Sequence, residues 1–104
     1  MAKARKSYYD ILDRFEYSSS SPTGIVYKID NKAMNRGKKF AGDIAGYLWK
    51  GKYFVVKVGR KSYFVHRIIY MLFNGDIDSD VVVDHIDRDT LNNKIDNLRA
   101  VDYT

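Results

Sequence analysis

The middle of the chain constrains the fold most strongly. Two runs of aromatic and β-branched residues, 47–49 and 53–58, flank Lys50-Gly51-Lys52, which is a typical hairpin turn. A second turn at 59–61 leads into a third run at 62–65. Because successive strands joined by tight turns pair with each other, these runs predict a three-stranded antiparallel meander.

The hydrophobic period then changes from two residues to that of a helix. Val65, Ile68, Ile69 and Leu72 recur at helical spacing, and Gly75 follows as a stop signal. This pattern predicts a helix over 66–74. Its apolar side is expected to pack on one face of the meander.

Weaker patterns complete an α+β fold. Residues 7–16 place apolar side chains at helical spacing behind Ser7, a possible N-cap, and therefore predict a first helix. A weak alternation predicts a strand over 24–30, and 31–43 reads as a basic loop. Residues 81–83 predict a short buried strand ending at Asp84-His85, with a partner strand over 98–103.

Composition narrows the functional classes. A chain of 104 residues forms one domain or two very small ones. Because it has no cysteine, disulfides and Cys-based zinc sites are excluded, and an intracellular protein is expected. No apolar run approaches the roughly 20 residues of a membrane span. Residues 1–75 carry a net charge of +10 and residues 76–104 a net charge of −5.

This division of charge favours a nucleic-acid partner. A basic body attracts a polyanion, whereas an acidic segment beside it repels phosphate unless a cation lies between them. The pattern therefore favours a metal-bridged phosphate site, and a solvated acidic loop is the alternative.

Asp84 and His85 supply the groups that phosphodiester cleavage requires. An imidazole can take a proton from water near neutral pH, and a carboxylate is a suitable ligand for Mg²⁺. Neighbours on a regular strand point to opposite faces, so a shared site predicts a bend or strand end at 84–85. The Asn-rich segment 92–97 can hold such a bend, because asparagine side chains bond readily to nearby backbone.

Three segments together resemble the pattern of phage HNH homing endonucleases. They are His66-Arg67-x4-Leu72-Phe73-x-Gly75, Val83-Asp84-His85-Ile86-Asp87-x-Asp89 and Asn92-Asn93-x3-Asn97-Leu98-Arg99. Upstream, Phe15-x-Tyr17, Thr23-Gly24, Ala41-Gly42 and Gly46-Tyr47 resemble the N-terminal part of that family, where the meander and helix are similar to an AP2-type DNA-binding domain.

The resemblance implies a role for each matching residue. His85 would be the general base, Asp84 the first ligand of one Mg²⁺ or Mn²⁺ ion, and Asn97 the middle asparagine that braces the loop and orients the base. Asn93 would stabilise the turn. The family's second metal ligand would fall near position 106, so either the gene continues past Thr104 or the protein lacks that ligand.

The predicted organisation is therefore a basic DNA-binding region over 1–75 and a partial HNH motif, a truncated ββα-metal hairpin, over 76–104. Double-stranded DNA is the expected partner, contacted by an exposed basic cluster, and a monomer acting in the cytoplasm of a phage-infected host is implied. The cluster comprises Lys50, Lys52, Lys57, Arg60 and Lys61.

Two functional alternatives stay open at this level. The protein can be a DNA endonuclease or nickase, or a non-catalytic DNA-binding or enzyme-inhibiting protein built on the same scaffold. His66 is expected to be structural rather than catalytic. The aromatic residues are expected on core faces, with base stacking as the alternative.

Overall fold

A computed structural model describes residues 11–30 and 39–102. In chain order the elements are β1 (Phe15–Tyr17), β2 (Ile25–Tyr27), β3 (Tyr47–Trp49), β4 (Tyr53–Val58), β5 (Lys61–Phe64), α1 (Val65–Asn74), β6 (Val81–His85), a 3₁₀ turn (Ile95–Asn97) and β7 (Leu98–Asp102). The predicted α+β class is confirmed.

The central sheet has the strand order β3-β4-β5, and both pairings are antiparallel. Lys50 and Gly51, at the turn between β3 and β4, have φ values of 55° and 69°. Positive φ at both central positions is typical of a type I′ turn, whose twist matches that of the flanking strands. Lys52 closes the turn by donating its backbone N–H to the Trp49 carbonyl at 3.0 Å.

Helix α1 follows β5 directly and ends at Gly75, which has a φ of 84° and donates its N–H to the Met71 carbonyl. Val65, Ile68 and Ile69 on this helix are fully buried. They share one hydrophobic core with Val56 of β4 and with residues of both hairpins, so the described segments enclose a common apolar interior. The core members are Ile11, Phe15, Ile25, Tyr27, Ala45, Val56, Val65, Ile68, Ile69, Val83 and Leu98.

The N-terminal region differs from its prediction. Ile11 and Leu12 are helical, but Phe15–Tyr17 forms β1 and pairs antiparallel with β2. Residues 7–10 lie outside the described residues. The helical spacing is overridden because Phe15, buried in the core, packs against Tyr27 with a ring separation of 5.4 Å. A helix continuing through this segment would lose that strand pairing.

The C-terminal hairpin joins β6 to β7 in antiparallel register over five residue pairs, from Val81↔Asp102 to His85↔Leu98. Between them lies the loop 86–97, which ends in the 3₁₀ turn. Within the described part of the chain, no helix is long and apolar enough to cross a membrane.

Candidate active site

Asp84 and His85 lie together at the end of β6, and the strand includes both. Asp84 pairs with Arg99 and His85 with Leu98, so the alternation of a regular strand is kept through these two positions. His85 is accordingly buried, at 4% exposure, while the Asp84 side chain is 40% exposed. No bend is needed to bring them to one site, because both line the same groove.

The imidazole of His85 is held by Asn93. Nε2 of His85 lies 2.8 Å from Oδ1 of Asn93, and Nδ2 of Asn93 donates to the Thr23 carbonyl at 3.0 Å. Because an amide oxygen can only accept, Nε2 carries the proton in this pair. The neutral imidazole then presents an unprotonated Nδ1, the atom that can act as a base.

Asn97 contacts the loop rather than the imidazole. Its Nδ2 donates to Oδ1 of Asp87 and to the carbonyl of Asn92, both at 2.9 Å, and its Oδ1 accepts the Asp87 N–H at 3.0 Å. The backbone of Asn97 also accepts the N–H of Ile86. This single buried side chain therefore closes the loop on itself.

Asp87 is the centre of the same network. Its carboxylate accepts hydrogen bonds from Nδ2 of Asn92, from the backbone of Asp89 and from Asn97. These donors stabilise the ionised carboxylate and hold the pKa of Asp87 below its ordinary value, with the bond from Asn92 contributing most. The charge of Asp87 is therefore used to order the loop.

Asp84 keeps a carboxylate near solvent. Its Oδ1 accepts the backbone N–H of His85 at 3.0 Å, and its Oδ2 lies 3.2 Å from the Arg99 guanidinium in an exposed ion pair. Such pairs are weak, so the carboxylate is available to a cation. Among residues 11–30 and 39–102, no three His, Asp or Glu side chains form a ready-made metal cluster.

His66 joins this site although its sequence context gave it only a structural role. Its ring lies 4.5 Å from that of His85 and 5.8 Å from Tyr53. Burial, followed by the proximity of His85 and Arg67, lowers the pKa of His66 to about 4. Nδ1 of His66 is buried and has no hydrogen-bond partner among the described residues. His66 is therefore a neutral ring between the sheet and the hairpin.

A groove of about 300 Å³ connects these groups, and we call it the histidine groove. Its lining includes Tyr53, His66, Arg67, Asp84, His85 and Thr90. Arg67 is held in place by donating to the carbonyls of Asp78 and Val81, which ties α1 to the start of β6. The sheet, the helix and the hairpin thus each contribute a wall.

The predicted basic cluster is exposed at all five positions, but it is divided between two ends of the sheet. Lys50 and Lys52 lie at the β3–β4 turn, whereas Lys57, Arg60 and Lys61 lie around the β4–β5 turn. A six-residue strand separates the two turns by roughly 17–20 Å. The first group lies beside the candidate site, since Thr90 in the hairpin loop donates to the Lys52 carbonyl.

Two contacts of the site had no signal in the sequence. Thr23 and Asn93 are separated by 70 residues, and Thr90 and Lys52 by 38, so no local pattern links them. The proximity of His66 to His85 likewise depends on how α1 packs against β6.

Comparison with known families agrees with the phosphodiester cleavage for which Asp84 and His85 are suited. Residues 63–102 match the family model of HNH endonucleases, over 40 of the 104 residues. The matched segment contains the last two residues of β5, all of α1 and the whole C-terminal hairpin, and therefore includes His66, Asp84, His85, Asn93 and Asn97. No curated protein and no solved structure matches the chain. The predicted resemblance of this segment to the HNH family is thereby confirmed, and the family implies nuclease activity on DNA.

Proposed function

We propose that this protein is a metal-dependent DNA endonuclease or nickase of the HNH type, related to phage homing endonucleases. The observation that carries the proposal is the pairing of His85 with Asn93, because it leaves Nδ1 free to accept a proton on a histidine that lines the same groove as an accessible carboxylate. The region 1–75 would dock DNA, and the region 76–104 would cut it.

His85 would act as the general base. Asn93 fixes the orientation of the ring and the position of its proton, so that Nδ1 can accept a proton from a water molecule in line with the scissile phosphate. Asn93 is in turn anchored to the backbone of Thr23, outside the matched segment. The orientation of the base would therefore depend on the N-terminal hairpin as well as on the HNH segment.

The donor set near the base fits a hard divalent cation such as Mg²⁺ or Mn²⁺. Mg²⁺ is often held by one or two carboxylates, with water and substrate phosphate oxygens completing its coordination. Asp84 would be the protein ligand, and Arg99, its present partner, would be free to meet a phosphate once the pair opens. A bound ion would supply charge neutralisation for the pentavalent phosphate and the leaving oxygen.

The basic residues would hold the DNA backbone. Lys50 and Lys52 flank the turn that contacts the hairpin loop, so phosphates bound there would lie next to the histidine groove. Lys57, Arg60 and Lys61 would contact the backbone further along the duplex. These contacts would supply affinity without reading sequence.

A second candidate function is DNA binding or enzyme inhibition without cleavage. It is favoured by the ion pair that occupies Asp84 and by the lack of a three-ligand cluster in the described part of the chain. In that case the hydrogen-bonded hairpin would serve as a rigid scaffold.

A nicking assay on supercoiled plasmid separates the two candidates. The wild-type chain is expected to nick slowly, because Asp84 is its one proposed metal ligand, and only when Mg²⁺ or Mn²⁺ is added. His85→Ala is expected to lower that rate by about 10²–10⁴-fold, the usual contribution of a general base. Ile86→Ala is the matched control, because Ile86 is the exposed neighbour of His85 and should leave the rate unchanged. DNA binding without any metal-dependent nicking would support the non-catalytic alternative, and full activity of His85→Ala would refute the assigned base.

A further inference from the structure

The central sheet has one face that the described residues leave uncovered. The register places Tyr47, Trp49, Tyr53, Val55, Lys57, Ser62 and Phe64 on the same side, which we call the open face. The opposite side carries Val56, which is buried in the core against α1. The open face therefore points away from the core.

This face carries exposed aromatic rings on its two outer strands, around Val55, which is 4% exposed on the central strand. Tyr47, Trp49 and Phe64 are 49%, 40% and 42% exposed, although such rings are usually buried. Between Trp49 and Phe64 lies a depression of about 260 Å³, with Val55 and Ser62 among its lining residues. Flat rings are thus presented on both sides of a recess.

The charges of the open face favour an anionic ligand. Its seven residues include one lysine and no acidic residue. The ammonium group of Lys50 lies 4.8 Å from the centre of the Trp49 ring, where it can meet a phosphate attached to a base stacked nearby. Exposed aromatic rings with flanking lysines are the combination that single-stranded nucleic acid requires.

The open face is also continuous with the proposed catalytic groove. Phe64 lines both the depression and the histidine groove, and Tyr53 packs against Phe64 and His66 with ring separations of 5.3 Å and 5.8 Å. A strand lying across the open face would therefore lead directly to His85.

We infer that the open face is a stacking platform for unpaired nucleotides next to the cleavage site, so that the substrate class is DNA with a single-stranded or locally opened segment. In an intact duplex the bases are stacked on each other and offer no free ring face to Trp49 or Phe64. This inference rests on the proposed function for its choice of DNA as the ligand.

Trp49 is the only tryptophan in the chain, so its fluorescence reports directly on stacking. The full chain is titrated with a mixed-sequence single-stranded oligodeoxynucleotide, with its matched duplex, and with a strand of equal length that contains abasic positions. The single strand should quench Trp49 and bind more tightly than the duplex. The abasic strand, which keeps its phosphates, should quench little.

Affinity measured by anisotropy of labelled DNA then tests the side chain itself. Trp49→Leu should weaken single-strand binding by about ten- to hundredfold, the range that corresponds to losing one stacked base. Duplex binding should change less than about twofold. Leu48→Ala is the matched control, since Leu48 is the adjacent residue on the opposite side of the same strand and is 47% exposed. Phe64→Leu provides a second variant should Trp49→Leu fail to fold.

Four results would overturn the inference. Equal weakening of single-strand and duplex binding by Trp49→Leu would mean that the face docks on duplex DNA. Absence of quenching by the single strand would exclude stacking, and loss of self-association in Trp49→Leu by sedimentation would make the face an interface between two copies. Nicking that depends on His85 but shows no preference for gapped DNA would contradict the stacking platform and support the proposed function. Quenching of Trp49 without nicking would support the platform and contradict the proposed function.

Discussion

The C-terminal hairpin and the open face of the sheet represent two different uses of side chains. In the hairpin loop, Asp87, Asn93 and Asn97 each make two or more specific hydrogen bonds within the protein. On the open face, Trp49 and Phe64 are left 40% and 42% exposed. The comparison indicates that the polar side chains of the hairpin loop are fixed by contacts within the protein, while the rings of the open face keep part of their surface in solvent.

The largest expected effect tests whether the hairpin is held as tightly as its hydrogen bonds indicate. Asn93→Ala removes the hydrogen-bond partner of the His85 Nε2–H and of the Thr23 carbonyl, and both groups are buried. Each unsatisfied group costs about 1–3 kcal/mol, so urea denaturation should show a loss of several kcal/mol. Asn92→Ala, which removes a solvent-exposed bond to Asp87, should cost clearly less, because water can replace that bond. Equal losses in the two variants would contradict the anchoring role of Asn93.

The second prediction concerns His66, the ring that joins sheet to hairpin. Its pKa is about 4 in the folded protein and about 6.5 when unfolded, so the unfolded chain binds more protons between these values. Because of this depressed pKa, the free energy of unfolding falls by about 3 kcal/mol in total as the pH is lowered from about 6.5 to about 4. Below that pH His66 causes no further loss. The difference in unfolding free energy between the wild type and His66→Phe, measured across this range, should show the slope. A constant difference would mean that His66 is not neutral and buried.

The third prediction separates the two ends of the sheet. Replacing both Lys50 and Lys52 by Ala should reduce the slope of log K against log salt for duplex DNA by about 2, because each phosphate contact contributes about 0.9. Replacing Arg60 and Lys61 instead should reduce the slope by a similar amount but slow nicking less, since that turn is distant from the hairpin loop. Equal losses of nicking in the two double variants would show that the basic residues act as one diffuse patch.

The smallest effect is expected at the surface of the hairpin. Arg99→Ala removes the exposed ion pair with Asp84, which should alter stability by no more than about 1 kcal/mol. If Asp84 binds the metal, the same variant should leave the affinity for Mn²⁺, measured by titration calorimetry, unchanged or increased. A large loss of stability would mean that the pair is structural and that Asp84 is not available to a cation.

The sequence by itself determined the parts of the fold that depend on local spacing. The three central strands, the hairpin turn at Lys50-Gly51-Lys52, the helix ending at Gly75 and the β6–β7 pair were predicted, because alternation, turn chemistry and helical period act over a few residues. The Asp84-His85 motif also indicated the matched HNH segment, because its residues are neighbours in the chain.

Only the tertiary structure decided which side chains meet. It replaced the end of the predicted helix at 7–16 by a strand that begins at Phe15, since long-range pairing with β2 outweighed local spacing. It placed Asn93 rather than Asn97 against His85, brought His66 to the same groove and divided the basic cluster between two turns. These outcomes depend on contacts between residues far apart in the chain, whose geometry is fixed by packing of the common core and leaves no trace in local pattern.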